Sequence, residues 1–254
     1  MVRGLDCFKA HFESFADKYV LIGGTACSLA MEEAGLEFRA TRDLDIVLCV
    51  EALDGNFVLA FWEFIRKGQY KIQEKSSGKK QFYRFKTPED HSYPVMLELF
   101  SRLPDALTSS DDDHLTPIPM DEEVSSLSAI LLDADYYQFI HAGKQEIAGL
   151  SVVGPTFLIP LKAKAWLDLS KRREAGEAVD QRDINKHKND VFRLYRIIDP
   201  ELSIGLPGSI ANDLRHFFDG VDAGQDVDLK SLGLKNTSLD EVLGNLRSLY
   251  GLGD

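Results

Sequence analysis

A short apolar run that stops at two glycines places the strongest constraint on the fold. Residues 19–24 are YVLIGG, and a run of this length ending in a glycine pair predicts a buried strand and a tight turn. The following TACSLAMEEAG predicts a helix that Thr25 caps and Gly35 ends. DLDIVLCV, from residue 43, predicts a second strand. The chain therefore begins with a strand–helix–strand unit.

The remaining pattern is mixed in its first part and helical in its last. Together these segments predict an α+β protein, with a mixed sheet flanked by helices over residues 1–155 and a helical domain over 156–254. Helices are expected at residues 5–17, around Phe57–Ile65, in EEVSSLSAILLDAD and repeatedly after Pro155, the last with a Ser238–Glu241 capping box. Strands are expected in QFYRFKTP and YPVMLELF, and a hairpin in DYYQFI and QEIAGLSVV with a turn at residues 141–143.

Two acidic residues open the second predicted strand. Asp43 and Asp45 alternate, so their side chains are expected on one face of that strand. Buried carboxylates side by side repel each other unless a cation neutralises them, and hard oxygen ligands suit Mg²⁺. The alternative is an ordinary polar strand entrance. Taken alone, the pair is compatible with either a metal site or a polar strand entrance.

The glycine turn predicts a phosphate site. Gly23 and Gly24 allow the backbone to approach a ligand closely, Thr25 adds a hydroxyl, and the helix N-terminus favours an anion. An ordinary tight turn would have the same composition. Neither the P-loop nor the dinucleotide-binding pattern is present in the sequence.

Taken together, the glycine pair and the D-L-D strand resemble the nucleotidyltransferase (polymerase-β-like) superfamily. Arg39, Thr41 and Arg42 precede the acidic pair, and the R-x-T-x-D-L-D form is similar to the AbiEii-like and MenT-like branch of bacterial toxins. The resemblance implies a nucleotidyltransferase fold for residues 1–155. It also implies that these three residues and the GGT turn bind a nucleoside triphosphate.

The superfamily usually has a third carboxylate on a neighbouring strand. Glu98 in VMLELF is the expected counterpart, since an isolated Glu in an apolar strand is costly unless it has a role. A solvent-facing strand position is the alternative. Many relatives have Asp here, so the longer Glu leaves the metal geometry open. Glu89 and Asp90 are runners-up in a turn.

The second half of the chain is similar to the helical region of the same branch, where a Lys and a later Asp enter the active site. The matching positions are Lys162 and Asp190, with Lys164 as an alternative for the Lys. A compact ammonium group can neutralise triphosphate charge. Surface helix charges would have the same pattern. Residues 186–188, Lys-His-Lys, predict either a nucleic-acid phosphate contact or a solvated charge run.

The activity implied by the resemblance is transfer of NMP from an NTP to an acceptor hydroxyl. Asp43, Asp45 and Glu98 would hold Mg²⁺ or Mn²⁺, and two ions would stabilise the entering and leaving oxygens. The implied acceptor is RNA, most specifically the 3′ end of tRNA, and the implied partner is a cognate antitoxin. The alternatives are a protein or small-molecule acceptor, or a non-catalytic NTP-binding protein.

Composition limits the partners and the compartment. The 254 residues include 29 Lys and Arg against 41 Asp and Glu, a net charge of −12. That total argues against a sequence-independent nucleic-acid binder, although residues 162–196 carry ten basic and six acidic residues. Membrane-spanning and secretory segments are not expected. The three cysteines have no metal-like spacing, which fits the cytoplasm.

Overall fold

The computed structural model describes residues 2–49, 52–72, 82–100, 133–223 and 227–253. The chain divides into two compact units. Unit 1 comprises residues 1–132 and 144–154, and unit 2 comprises 133–143 and 155–254. Within the described ranges, none of the helices is both long and apolar enough to span a bilayer. The helix predicted in EEVSSLSAILLDAD lies outside those ranges, except for its last three residues.

Unit 1 is built on a seven-stranded mixed sheet. The strand order is β3-β4-β5-β2-β1-β7-β6, in which β1 with β7 and β2 with β5 are parallel and the other pairs antiparallel. The strands are β1 Tyr19–Ile22, β2 Asp43–Leu48, β3 Lys71–Ile72, β4 Phe82–Lys86, β5 Met96–Phe100, β6 Lys144–Ile147 and β7 Leu150–Val153. Because β1 and β2 are antiparallel, the end of β1 lies beside the start of β2.

Three helices of unit 1 accompany the sheet. They are α1 Leu5–Phe12, α2 Gly23–Glu33 and α3 Gly55–Gly68. Phe8 and Phe12 of α1 pack against Phe64 of α3 with ring centroids 5.8 and 5.2 Å apart. Residues 23–31 of α2 are all buried. The burial of α2 stabilises the position of the helix that follows the glycine turn.

Unit 2 is helical in its described residues. It contains α4 Ala134–Ala142, α5 Pro155–Glu174, α6 Gln181–Tyr195, α7 Gly208–Asp222 and α8 Leu239–Leu249. The mixed sheet and this helical region confirm the predicted α+β class. The backbone N–H of Glu241 donates to Ser238 Oγ at 3.2 Å, which confirms one bond of the expected capping box.

Two local predictions are wrong. The segment DYYQFI is helix α4 rather than a strand, because Asp133 accepts from the Asp135 N–H and caps a helix. The hairpin instead joins β6 and β7 through Ala148 and Gly149, both with positive φ, as a two-residue turn requires. Aromatic residues favour strands in isolation, but their spacing in α4 also buries one face of a helix.

A third prediction, that Thr25 caps α2, is also wrong. The helix begins two residues earlier, at Gly23, and no side chain caps its first turn. Gly35 does end the helix as expected: its φ is +70°, and the Leu36 N–H donates back to Met31 at 2.8 Å.

Candidate active site

The turn from β1 into α2 brings Gly23 against Asp45. Ile22 is the register partner of Asp45, so Gly23 follows directly beside the acidic strand. The φ of Gly23 is +68°, and a Cβ at this position would fall on the Asp45 carboxylate. Both the backbone conformation and the lack of space therefore require glycine. The turn places helix N-terminal backbone next to an 8% exposed carboxylate.

Gly24 lies beside two of the predicted NTP-binding residues. A Cβ on Gly24 would lie 2.5 Å from Thr41 Oγ1 and 3.7 Å from Arg39 Nη2. Arg39 and Thr41 therefore lie at the glycine turn. Both are among the residues predicted to bind the NTP together with this turn. The third residue of that group, Arg42, is exposed.

Thr25 ties the turn to the acidic strand. It is fully buried, and its hydroxyl donates to the backbone carbonyl of Asp43 at 2.7 Å. A hydroxyl committed to this bond fixes the spacing between α2 and β2. The structure therefore gives Thr25 a role in positioning the strand that carries Asp43 and Asp45.

The two acidic residues of β2 and Glu98 share one face of the sheet. Asp43 and Asp45 are two residues apart on one strand, so their side chains project from the same face. Glu98 of β5 is the register partner of Asp45 on the adjacent parallel strand. Neighbouring strands lie about 4.8 Å apart, so these carboxyl groups belong to one row across the sheet.

Arg84 completes that row and is a residue that the sequence did not single out. It lies on β4 as the register partner of Glu98, and its Nε donates to Glu98 Oε1 at 2.6 Å. A single Arg in the strand QFYRFK could have signalled a buried acidic partner. Only the strand order identifies that partner as Glu98.

Two carboxylates beside the glycine turn have the chemistry to hold a magnesium ion. In the described part of the chain, no three or more His, Cys, Asp or Glu side chains are grouped so as to hold a metal ion. Asp43 and Asp45 nevertheless supply hard oxygen donors beside the glycine turn. Mg²⁺ is commonly held by one or two carboxylates together with substrate phosphates and water. Asp43 and Asp45 are therefore the residues that would hold it.

The runner-up Asp90 has a local function. Its carboxylate accepts hydrogen bonds from both the backbone N–H and the hydroxyl of Ser92, each at 2.8 Å. These bonds lower the pKa of the Asp90 carboxyl below its usual range. Asp90 and the exposed Glu89 belong to the loop between β4 and β5. The structure thus gives Asp90 a turn-forming role.

In unit 2, Lys162 and Asp190 form a buried ion pair. Lys162 is on α5 and Asp190 on α6, with Nζ 3.2 Å from Oδ2, and their side chains are 3% and 0% exposed. Arg193 contacts the other Asp190 oxygen at 3.2 Å. The two residues predicted to act together are therefore direct partners. A surface position for either is excluded.

We expect Lys162→Met to lower the free energy of unfolding by about 3 kcal/mol, because it removes one cation from a fully buried carboxylate. Urea denaturation measures this change. Lys67→Met is the matched control, since Lys67 forms an exposed pair with Glu63 on α3. The control should leave the free energy of unfolding unchanged, and an equally small effect for Lys162→Met would contradict the assignment.

The alternative lysine, Lys164, has different partners from Lys162. Its Nζ lies 3.4 Å from Asp168 and 3.1 Å from Asp213 of α7. Burial alone would lower the pKa of Lys164, but the two carboxylates hold it above its usual value. Tyr136 also donates to Asp213 at 3.0 Å. Lys164 therefore helps to hold α5 against α7, and Tyr136 joins α4 to the same carboxylate.

The Lys-His-Lys run of α6 is not a uniformly solvated charge run. His187 and Lys188 are buried, which corrects that alternative for these two residues. Lys186 is half-buried and pairs with Asp183 at 2.9 Å. One half-buried, ion-paired lysine offers little for a phosphate contact.

Comparison with known proteins finds limited similarity. No family model matches the chain, and no curated protein does. The chain is similar in structure to JHP933 from Helicobacter pylori, with 17% identity, coverage of 98% of this chain and 89% of that one, and a TM-score of 0.42. It is also similar to an antigenic nucleotidyltransferase-like protein from Paracoccidioides brasiliensis, with 15% identity, 93% and 96% coverage, and a TM-score of 0.42. Such distant likeness leaves the function to be inferred from the residues of the site.

Proposed function

We propose that this protein is a metal-dependent nucleotidyltransferase that moves NMP from an NTP to an acceptor hydroxyl. The observation that carries the proposal is the contact between the glycine turn and the acidic strand. Gly23 has a positive φ and no room for a side chain because Asp45 lies against it. Backbone N–H groups at a helix N-terminus bind phosphate, and carboxylates bind a cation. Both are needed in one place where a phosphate and a cation bind together.

Different residues of unit 1 would bind different parts of the triphosphate. The first backbone N–H groups of α2, which no side chain caps, would donate to phosphate oxygens. Arg39 and Thr41, beside Gly24, would add a cation and a hydroxyl, and Arg42 is exposed to meet further phosphate charge. Mg²⁺ or Mn²⁺, held by Asp43 and Asp45, would stabilise charge on the reacting phosphate. The hydrogen bond from Thr25 to the backbone carbonyl of Asp43 would hold the acidic strand beside the turn.

The proposed acceptor is RNA, with the 3′ end of tRNA as the specific target. The R-x-T-x-D-L-D sequence and the Lys162–Asp190 pair support this choice, since both are features of the toxin branch that the chain resembles. We extend the proposal to a toxin controlled by a cognate antitoxin. In it, Asp190 holds Lys162 within unit 2.

The acceptor can be identified with α-³²P-labelled NTPs. Purified protein is incubated with each NTP in turn, with Mg²⁺ and total RNA, and the products are separated into RNA, protein and small-molecule fractions. We expect label in RNA of tRNA size, removable by an exonuclease that acts at 3′ ends. The same reaction with EDTA should yield none.

Each other outcome identifies a different function. Label in protein or in a small molecule would replace the RNA acceptor and keep the enzyme class. NTP binding that is unaffected by EDTA, with no label in any fraction, would identify a non-catalytic NTP-binding protein and reject the proposed activity.

A further inference from the structure

Across the sheet, Arg84, Glu98 and Asp45 occupy successive strands at one register level. Glu98 pairs with Asp45 of β2 on one side and with Arg84 of β4 on the other. The row therefore continues from the glycine turn through two carboxyl groups to a guanidinium. Neither the sequence patterns nor the proposed function assigns a role to Arg84.

Burial makes the Arg84–Glu98 contact a strong one. The Glu98 side chain is 6% exposed and the Arg84 side chain 12%, so solvent screens the pair weakly. The distance from Nε to Oε1 is 2.6 Å, at the short end for a charge-assisted hydrogen bond. A carboxylate buried beside Asp45 would be repelled without this cation. Arg84 therefore pairs a buried carboxylate with a cation in this position.

The contact also restrains the long side chain of Glu98. Glu has one more methylene than Asp, and hence one more rotatable bond to fix. The hydrogen bond from Arg84 Nε engages Oε1 of Glu98. A long side chain anchored at one oxygen has the defined position that a shorter Asp would have through its length alone.

We propose that Arg84 is a positioning residue, which anchors Glu98 so that its second oxygen faces the reacting groups beside Asp45. This inference rests on the proposed nucleotidyltransferase function, to which it adds that Glu98 orients the acceptor hydroxyl or contacts a cation. Residues that orient such a carboxylate typically contribute 10- to 100-fold to affinity or activity. Arg84 would act on turnover through Glu98 and would not contact the nucleotide.

The test is a double-mutant cycle of Arg84→Met and Glu98→Gln, with nucleotide transfer and thermal unfolding measured for each variant. Arg84→Met should lower kcat about 10- to 100-fold and leave KM for the NTP within about threefold. It should also lower Tm by about 10 °C, because Glu98 is left buried without its partner. Adding Glu98→Gln should restore most of the Tm and should cause no further loss of kcat beyond that of Glu98→Gln alone.

Arg84→Lys separates positioning from stability. Lysine keeps the charge but lacks the guanidinium geometry, so it should recover Tm more fully than kcat. Lys67→Met, at the exposed pair with Glu63, should change neither quantity. Unfolding is measured without nucleotide or metal, so it reports on the Arg84–Glu98 pair separately from turnover.

Wild-type kcat in Arg84→Met, full recovery of kcat with Tm in Arg84→Lys, or independent losses in the double mutant would each overturn the positioning role. Any of these with an active wild-type enzyme would leave the proposed function standing. A wild-type protein that neither binds nor transfers nucleotide would reject the proposed function, and the inference with it.

Discussion

Asp45→Asn is expected to reduce kcat/KM for nucleotide transfer about 1000-fold, equivalent to about 4 kcal/mol of transition-state stabilisation. The substitution keeps the shape of a side chain that is 8% exposed and removes the charge that would hold the cation. Steady-state transfer of label from an α-³²P NTP measures the effect. Circular dichroism and urea denaturation should show a folded chain.

The control for Asp45→Asn is Asp90→Asn. Asp90 is in the same unit and accepts two hydrogen bonds from Ser92, but its role is confined to the loop between β4 and β5. Its substitution should leave kcat/KM within about threefold of wild type. Equal activity of Asp45→Asn and Asp90→Asn would remove Asp45 from the site.

The second large effect is expected from Gly23→Ala. The new Cβ would require a left-handed backbone, at about 1–2 kcal/mol, and would displace the Asp45 carboxylate, at about 1–3 kcal/mol of overpacking. We expect the free energy of unfolding to fall by about 3 kcal/mol. Transfer should fall at least about 100-fold, because Asp45 and the first turn of α2 must move apart.

Gly35→Ala is the matched control for Gly23→Ala. Gly35 also has a positive φ, +70°, and lies at the other end of α2, but a Cβ there would meet nothing within 4 Å. It should cost about 1 kcal/mol of stability and no activity. If the two variants behaved alike, backbone strain alone would explain Gly23 and its contact with Asp45 would have no functional meaning.

The start of the fold could be predicted from sequence because local signals agree there. YVLIGG and DLDIVLCV predict two short strands, and the structure has strands at Tyr19–Ile22 and Asp43–Leu48. The helix between them was also predicted, although its first residue was placed two positions late. Its N-terminus depends on the positive φ of Gly23 and on the contact with Asp45, and neither is visible in the sequence.

The parts that sequence could not give depend on which strands lie side by side. Arg84 and Glu98 are fourteen residues apart, and only the pairing of β4 with β5 makes them partners. The segment DYYQFI has the composition of a strand, but tertiary burial of Tyr136 and Ile140 on one helical face decides its structure. The type of most elements could therefore be predicted from the sequence. The contacts between side chains could be identified only from the tertiary fold.

Ion pairs within unit 2 involve several of the cations of residues 162–196. Residues 162–196 carry a local charge of +4, which suggested a basic face for RNA. Several of those cations are paired within unit 2, among them Arg172 with Glu177 at 2.6 Å and Arg182 with Asp180 at 2.7 Å. Few of the described cations in this region are therefore available for counterion release on binding a nucleic acid.

The most direct test of the central claim compares label from the α- and γ-phosphates of one NTP. A nucleotidyltransferase breaks the bond between the α- and β-phosphates, so α-³²P should appear in the acceptor RNA and γ-³²P should be released as pyrophosphate. Both signals should depend on Asp45. Transfer of the γ-label to the acceptor, or α-labelling that persists in Asp45→Asn at the wild-type rate, would contradict the account.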